Sequence, residues 1–173
     1  VIYLGTFSKS IAPSLRISYM VLPLHLLKKY QESCSFYSTT VSKIQQEVLR
    51  EFIRGGYFGR HLNKMRGIYK NKHDFLVGEL KKKNWVENIA GDNAGLHVLV
   101  QVNTTLTEEE ICKKAAECGI RLMGIREHYI HTPPEGRPVL LLGYGKPDEQ
   151  EIQKGLEVLE SIVPENRIPL PLR

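Results

Sequence analysis

Two short apolar runs stand at the start of the chain, at residues 1–4 and 17–22, and Pro23 ends the second run. Runs of this length, bounded by small and turn-forming residues, are typical of buried strands. The connection between them, residues 5–16, is largely small or hydroxylic, and Pro13 favours a turn within it. The pattern therefore predicts two buried strands joined by a loop.

Apolar positions take a helical period in the next part of the chain. Residues 24–30 predict a short helix, and residues 33–40 are polar and turn-like. From about Ser42, apolar residues recur on one helical face until a glycine pair ends the helix at Gly55. These residues are Ile44, Val48, Leu49, Phe52 and Ile53. A longer amphipathic pattern, from residue 58 to about 82, predicts a helix of roughly 36 Å, which is long enough to connect two domains.

Strand period replaces helical period from Trp85 onward. A turn is expected at Gly91-Asp92-Asn93 and a loop at residues 131–136. The predicted strands are residues 96–102, 120–125 and 139–144.

Two helices complete this part of the chain. Thr107 with Glu110, and Asp148 with Glu151, have the spacing of capping boxes at helix starts. Gly119 ends the first of these helices, and prolines end regular structure after the second; they are Pro164, Pro169 and Pro171. The order strand–helix–strand–strand–helix predicts a sheet covered by helices, which is an α/β fold.

The composition is that of a globular chain. Of the 173 residues, 42% are hydrophobic and 25% charged. No apolar run approaches the roughly 20 residues needed to cross a bilayer, so no membrane association is expected. The net charge of +5 could suit an anionic partner. However, the densest basic cluster, Lys81-Lys82-Lys83, is short, which favours a solvated helix end over a nucleic-acid surface.

The cysteines and the first residue indicate the cellular compartment and the completeness of the chain. The three cysteines, Cys34, Cys112 and Cys118, are odd in number and lack metal-ligand spacing. Reduced thiols in a cytoplasmic protein are therefore expected, with no metal site. The chain begins at Val1 rather than Met, in a run that is predicted to be a strand. We therefore expect it to be a fragment of a longer protein.

The loop between the first two predicted strands carries the candidate chemistry. Lys9 stands alone among uncharged neighbours, and apolar walls would favour its neutral amine by desolvation. A neutral amine can attack a carbonyl and form a Schiff base. Thr6, Ser8 and Ser10 offer hydroxyls, and Arg16 offers donors suited to phosphate. These groups match an aldehyde and a phosphate, as in pyridoxal phosphate. The residue types alone leave open a surface turn with a solvated lysine.

The same segment resembles a known family. Gly5-Thr6-Phe7-Ser8-Lys9, followed by Ala12-Pro13-Ser14-Leu15-Arg16, is similar to the lysine segment of fold-type I enzymes dependent on pyridoxal 5'-phosphate (PLP). It resembles the kynurenine and aminoadipate aminotransferases, and also the aminotransferase-like half of MocR-type regulators in the GntR family. The resemblance implies that Lys9 is the catalytic lysine and holds PLP as a Schiff base. It implies that Thr6 and Arg16 contact the phosphate and that Ser8 belongs to the cofactor-binding motif.

The resemblance extends over the chain and implies its domain organisation. Residues 1–56 would be the C-terminal end of the PLP-binding large domain. Residues 57–83 would be a long inter-domain helix, and residues 84–173 the small C-terminal α/β domain. Within the helix, Arg60-His61 and the later Met65-Arg66 are similar to the matching helix of MocR-type regulators.

Two positions favour a regulator over an enzyme. Ala94-Gly95-Leu96-His97 resembles a Gly-Leu-His segment of MocR-type regulators, and His97 could touch an effector. Leu141 stands where the related aminotransferases have an arginine that binds the substrate carboxylate, and leucine cannot form that pair. Arg137, at the entrance of the same predicted strand, could take its place.

We therefore expect a piece of a MocR-type regulator that senses an amino acid, an amine or PLP itself. The resemblance implies a homodimer that binds DNA through an N-terminal winged helix domain outside this chain. Sensing does not require turnover. Because the family's Gly-rich phosphate turn and ring-side aspartate lie upstream of the lysine, this chain alone is expected to bind PLP weakly or not at all.

Two alternatives stay open. The first is a PLP-dependent class I aminotransferase that acts on amino acids, in which Lys9 would also move a proton between the substrate and the cofactor. The second is a non-catalytic α/β interaction module in which Lys9 is an ordinary surface lysine.

Overall fold

The computed structural model describes residues 1–91, 95–132 and 135–163. The chain divides into two compact units, Val1–Gly67 and Ile68–Arg173. The assignment of residues 1–56, 57–83 and 84–173 to a large domain, a joining helix and a small domain stays a prediction.

The first unit begins with a two-stranded antiparallel sheet. Strand β1 (Tyr3–Thr6) pairs with strand β2 (Ser18–Val21), so that Thr6 lies opposite Ser18. A short 3₁₀ helix, Pro13–Leu15, lies in the connection, where Pro13 was expected to make a turn. The two predicted strands and their loop are therefore present.

The predicted burial of these strands is wrong. All four residues of β2 are exposed, and in β1 only Gly5 is half-buried. Ile17, just before β2, is 7% exposed and is the one buried residue in the described part of this unit. A sheet of two strands has no neighbouring strands and no covering layer, so its apolar side chains stay open to solvent.

Two helices follow the sheet. Helix α1 (Leu24–Cys34) runs four residues beyond its predicted end at residue 30. Helix α2 (Lys43–Arg54) has the predicted limits, since Ser42 caps its start and Gly55 its end. Gly56 then takes φ +72°, a conformation that favours glycine. Apolar residues of α2 remain open to solvent, as Ile44 is 77% and Val48 65% exposed.

The long helix is present as α3 (Tyr57–Leu80), close to its predicted bounds. It has 24 residues, and the boundary between the two units falls within it, after Gly67. Its last turns belong to the second unit, where Leu76, Val77 and Leu80 are buried in the core.

The second unit contains a four-stranded antiparallel sheet in the order β3-β4-β6-β5. Its elements are β3 (Val86–Ala90), β4 (His97–Val102), helix α4 (Glu108–Glu117), β5 (Met123–Gly124), β6 (Val139–Gly143) and helix α5 (Glu149–Ile162). Val98, Val100 and Leu140 are completely buried on one face and share a core with residues of α4 and α5. The predicted α/β class is confirmed, and β3 is a strand that the predicted order did not count.

Both predicted capping boxes are confirmed. The Thr107 side chain accepts the N–H of Glu110, and the Asp148 side chain accepts the N–H of Glu151, with the reciprocal bonds present. Ser42 and Gln45 form a third box at the start of α2.

The predicted strand at residues 120–125 is wrong in length, because β5 has only two residues and a 3₁₀ helix, Ile125–His128, follows it. The Glu108 carboxylate ends the pairing of β5 on its C-terminal side. It accepts the backbone N–H groups of Arg126 and Val139, each at 2.9 Å, just beyond the last β5–β6 pair. With these donors bound to a side chain, the strand pairing stops.

Several expectations fall outside the described residues. They are the turn residues Asp92 and Asn93, Ala94, part of the loop at residues 131–136, and the C-terminal prolines. Within the described helices, none is long and apolar enough to cross a membrane.

Candidate functional site

The lysine loop lies between β1 and β2 in the first unit. Thr6 is the last residue of β1, and Lys9 stands in the turn that follows it. Lys9 and Arg16 are exposed, and Ser8 is half-buried. The predicted site residues therefore lie at the end of β1 and on the connection from β1 to β2.

Hydrogen bonds close this loop at its two ends. The Thr6 hydroxyl donates to the carbonyl of Ile17 at 3.2 Å, and the N–H of Phe7 donates to the same carbonyl at 2.9 Å. The Thr6 hydroxyl also accepts the N–H of Ser8 at 3.2 Å. A further bond, from the N–H of Ile11 to the carbonyl of Phe7 at 2.8 Å, makes the turn around Lys9 compact.

Arg16 has an unusual backbone. Its φ of 37° and ψ of 34° are left-handed, and it is the only non-glycine residue with positive φ in the described part of the chain. This conformation costs an L-residue roughly 1–2 kcal/mol. It lets the chain leave the 3₁₀ helix Pro13–Leu15 and enter β2, so it has a structural cause.

The charged groups of the loop have no ionic partners in the part of the chain that the structure describes. Over the described ranges, neither Lys9 nor Arg16 takes part in an ion pair. The apolar walls expected around Lys9 are not present, because β1 and β2 are exposed. The expectation of a desolvated lysine is therefore wrong for the chain as it stands here. A lysine with no ionic partner and an arginine with none remain available to an anionic, carbonyl-bearing ligand.

These groups fit PLP by their chemistry. A primary amine is the partner of its aldehyde, and an unpaired guanidinium is the partner of its phosphate. The Ser8 hydroxyl is also available, since it has no hydrogen-bond partner in the described structure.

Phe7 fixes the lysine loop by ring contacts, a role that the sequence did not predict. Its ring lies 5.1 Å from that of Tyr19 and 5.8 Å, edge-on, from that of Phe58. It therefore ties the loop to β2 and to the start of α3, one residue before Ser8. His61 makes an edge-on ring contact with Phe52 at 6.5 Å.

The candidate positions of the second unit lie on and around its sheet. His97 is exposed at the start of β4. Leu141 lies on the sheet face opposite the buried core, paired with Leu99 on one side and Met123 on the other. These neighbours make an apolar row at the position where the related aminotransferases were expected to have arginine.

Arg137 is already engaged. Its guanidinium lies 3.0 Å from the Glu87 carboxylate. It borders a cleft of about 310 Å³ on the open sheet face, with Asn88, Gln101, Arg126 and Tyr129. Arg126, the other arginine of this cleft, donates to the carbonyl of Gly136 at 3.3 Å and lies 3.8 Å from the Glu108 carboxylate. Both guanidinium groups of the cleft thus have partners.

The fold and the lysine loop are those of an aminotransferase-like α/β protein. The chain belongs to the aminotransferase class I and II family, which matches residues 1–153.

Known proteins similar to the chain include regulators and enzymes. The uncharacterized HTH-type transcriptional regulator YdeL of Bacillus subtilis is 39% identical over 162 residues, which is 93% of this chain and 35% of YdeL. The probable rhizopine catabolism regulatory protein MocR of Rhizobium meliloti is 30% identical over 93% of this chain and 32% of MocR. The chain thus spans about a third of the length of these relatives.

A solved structure supports the fold. The multiple substrate aminotransferase of Thermococcus profundus matches with a TM-score of 0.78 and 23% identity, over 94% of this chain and 40% of that enzyme.

Proposed function

We propose that this chain is part of the effector-sensing, aminotransferase-like domain of a MocR-type transcriptional regulator of the GntR family, with PLP held as a Schiff base on Lys9. The observation that carries the proposal is the lysine loop, in which Lys9 and Arg16 have no ionic partner among the described residues. The identity to YdeL, a transcriptional regulator, and to MocR supports the sensing role.

Each loop residue has a role in this proposal. Lys9 supplies the amine that binds the cofactor covalently. Arg16 supplies a permanent positive charge and a fork of donors for the phosphate, and Ser8 adds a hydroxyl donor. Thr6, at the base of the loop, remains assigned to the cofactor site. PLP itself would supply an aldehyde on which an effector amine can replace the lysine amine.

The open sheet face supports a sensor more than a transaminase. Leu141 cannot bind a carboxylate, and Arg137 is held by Glu87. A sensor needs only to bind an amino-acid or amine effector, whereas a transaminase must also hold its substrate for proton transfer. In the full-length protein, we propose a cytoplasmic homodimer that binds DNA through an N-terminal winged helix domain.

The test uses the full-length protein that contains this chain. It is incubated with PLP and reduced with borohydride, and the modified peptide is mapped by mass spectrometry. A pyridoxyl adduct on Lys9 is expected, and Lys9→Ala should abolish it. Lys43→Ala, which removes an exposed lysine at the start of α2, is the matched control and should keep the adduct. An adduct that survives Lys9→Ala, or none in the wild type, would contradict the proposal.

A class I aminotransferase acting on amino acids is the second candidate, favoured by the match to the Thermococcus profundus enzyme. The two candidates differ in turnover. Steady production of keto acid from amino acids by the PLP-loaded protein would support the enzyme. Adduct formation on Lys9 without keto acid would support the sensor.

A further inference from the structure

Helix α3 carries positive charge without negative charge over most of its length. From Phe52 to His73 the sequence contains six lysine or arginine residues and no aspartate or glutamate. This stretch therefore carries six positive charges, against a net charge of +5 for the whole chain. Three of the six, Arg60, Lys64 and Arg66, stand in the part of α3 that belongs to the first unit.

These three cations, which we call the basic face of α3, lie on the exposed side of the helix. Arg60, Lys64 and Arg66 are exposed, whereas Leu62 and Met65 on the other side are half-buried. Because positions four apart are neighbours on a helix, Arg60 and Lys64 lie side by side. The helix thus separates its charged side chains from its apolar ones.

No bulky side chain shields the basic face. The positions between its cations around the helix are Gly59, Asn63 and Gly67. A Cβ at either glycine would meet nothing within 4 Å in the described structure, and Asn63 is exposed. A partner can therefore come close to the helix and reach the cations on both sides of these positions.

The cations of the basic face are not neutralised. Within the described residues, Lys64 and Arg66 take part in no ion pair and no side-chain hydrogen bond. Arg60 donates to the carbonyl of Gly55 at 3.3 Å, and its guanidinium carbon lies 4.6 Å from the centre of the Tyr57 ring. Both of these partners are neutral. Arg60 therefore keeps its charge, and its guanidinium keeps donors for a further acceptor.

The apolar side of α3 is occupied within the protein. The Phe58 ring lies 5.8 Å from that of Phe7 and 6.4 Å from that of Phe52, and His61 also contacts Phe52. A helix that binds a lipid surface inserts its apolar side into the membrane boundary. That side is not available here, so this part of α3 offers a partner only its charge.

The basic face fits a phosphate backbone better than a protein surface. Protein interfaces depend on aromatic and apolar anchors at their centre, and only glycine and asparagine stand between these cations. Binding to DNA phosphates needs only positive charge and donors, because the release of counterions supplies affinity. The similarity to YdeL, a transcriptional regulator, makes DNA the polyanion to test.

We infer that the basic face of α3 binds the phosphate backbone of double-stranded DNA, as a second contact beside the winged helix domain. This inference rests on the proposed function, because it needs a regulator that binds DNA. The contact adds affinity equally for every sequence, since a cation on a phosphate does not read base edges. It holds the aminotransferase-like part of the regulator against the DNA.

The test measures DNA binding by the full-length protein that contains this chain. Affinity for two labelled duplexes of unrelated sequence is followed by fluorescence anisotropy at several salt concentrations. The double variant Lys64→Gln, Arg66→Gln should weaken binding to both duplexes by the same factor, about tenfold. The slope of log K against log salt should become shallower by about 2 for each chain that contacts the DNA.

Two further variants separate a phosphate contact from a general effect of net charge. The double variant Lys113→Gln, Lys154→Gln removes the same charge from exposed positions of α4 and α5, and it should bind as the wild type does. Lys64→Arg with Arg66→Lys keeps both charges and should also bind normally. Thermal unfolding of all three variants should match the wild type, because the replaced side chains are exposed.

Three results would overturn the inference. Unchanged affinity and slope in Lys64→Gln, Arg66→Gln would mean that the winged helix domain alone binds the DNA, and the proposed function would stand. A loss equal to that of Lys113→Gln, Lys154→Gln would reflect net charge only. Unchanged DNA binding with weaker self-association in sedimentation would assign the basic face to an acidic surface of a second copy.

A wild-type protein that binds neither duplex would refute the inference together with the DNA-binding part of the proposed function. The borohydride test on Lys9 would then still decide whether the chain holds PLP. The two failures are therefore distinguishable.

Discussion

The Arg137 guanidinium lies 3.0 Å from the Glu87 carboxylate, and the two side chains are only 19% and 24% exposed. The pair joins strand β3 to a residue two positions before the start of β6. Glu87 therefore binds the arginine that could have replaced the carboxylate-binding arginine missing at position 141, where the chain has Leu141. A ligand that reached the open sheet face would therefore meet a neutralised arginine beside an apolar row.

Breaking this pair should lower stability. Glu87→Gln leaves a half-buried guanidinium without its partner, so the free energy of unfolding should fall by about 1 kcal/mol. Arg137→Gln should cost about as much, and the double variant less than the sum of both. Denaturant unfolding of the three variants gives the coupling energy directly. Additive losses would mean that the ion pair contributes nothing.

Glu108 should be the most sensitive carboxylate of the second unit. Its side chain is buried and its two oxygens accept the N–H groups of Arg126 and Val139. Glu108→Gln places an amide NH₂ against one of these donors and leaves that N–H unpaired, which should cost about 2 kcal/mol. Glu109→Gln is the matched control, because Glu109 is the exposed next residue in the same helical turn. Equal losses in thermal or denaturant unfolding would show that only the charge at the helix start matters.

Gly5 and Gly67 should respond to alanine in opposite directions. A Cβ at Gly5 would lie 2.3 Å from Cζ of Tyr19, so the ring would have to move from its contact with Phe7. Gly5→Ala should therefore destabilise the sheet of the first unit, by about 1 kcal/mol. A Cβ at Gly67 would meet nothing within 4 Å, and Gly67 lies inside α3. Gly67→Ala should therefore raise the free energy of unfolding by about 1 kcal/mol. Denaturant unfolding compares the two, and a gain from Gly5→Ala would show that Tyr19 moves freely.

Local signals in the sequence predicted much of the fold. The capping boxes at Thr107 and Asp148 and the end of α2 at Gly55 depend on residues a few positions apart, so they can be read from the chain. The box of Ser42 and Gln45 follows the same pattern and could have been found in the same way. The end of β5 at Gly124 could not, because it depends on Glu108, which lies far from Gly124 in sequence.

For the candidate site, too, the sequence predicted the features that depend on neighbouring residues and missed those that depend on distant ones. The motif placed Thr6, Ser8, Lys9 and Arg16 together, and in the structure Thr6 ends β1 while the other three residues lie on the loop that follows. Their roles toward PLP stay predictions. The burial expected from apolar strands was wrong, because burial depends on which layers cover a strand and not on its own residues. The bond from Thr6 to Ile17 likewise depends on the closed loop.

Cys112 should react more slowly with a thiol reagent than the exposed Cys118. Burial raises the pKa of the Cys112 thiol, and the negative charges of Glu127 and Glu108 raise it further, against a backbone hydrogen bond from Gly124 that lowers it. The thiolate is the form that iodoacetamide attacks. At alkaline pH, labelling followed by mass spectrometry should therefore modify the exposed Cys118 well before Cys112.

The same shift gives stability a pH dependence of defined sign. Because the folded state raises the pKa of Cys112, it keeps a proton that the unfolded chain has already lost. The contribution is fully present below the unfolded pKa and is lost as pH rises through the folded pKa. Wild type should therefore lose more stability than Cys112→Ala between neutral and alkaline pH. Parallel curves for wild type and Cys112→Ala in denaturant unfolding would show that Cys112 is as free to ionise in the folded protein as in the unfolded chain.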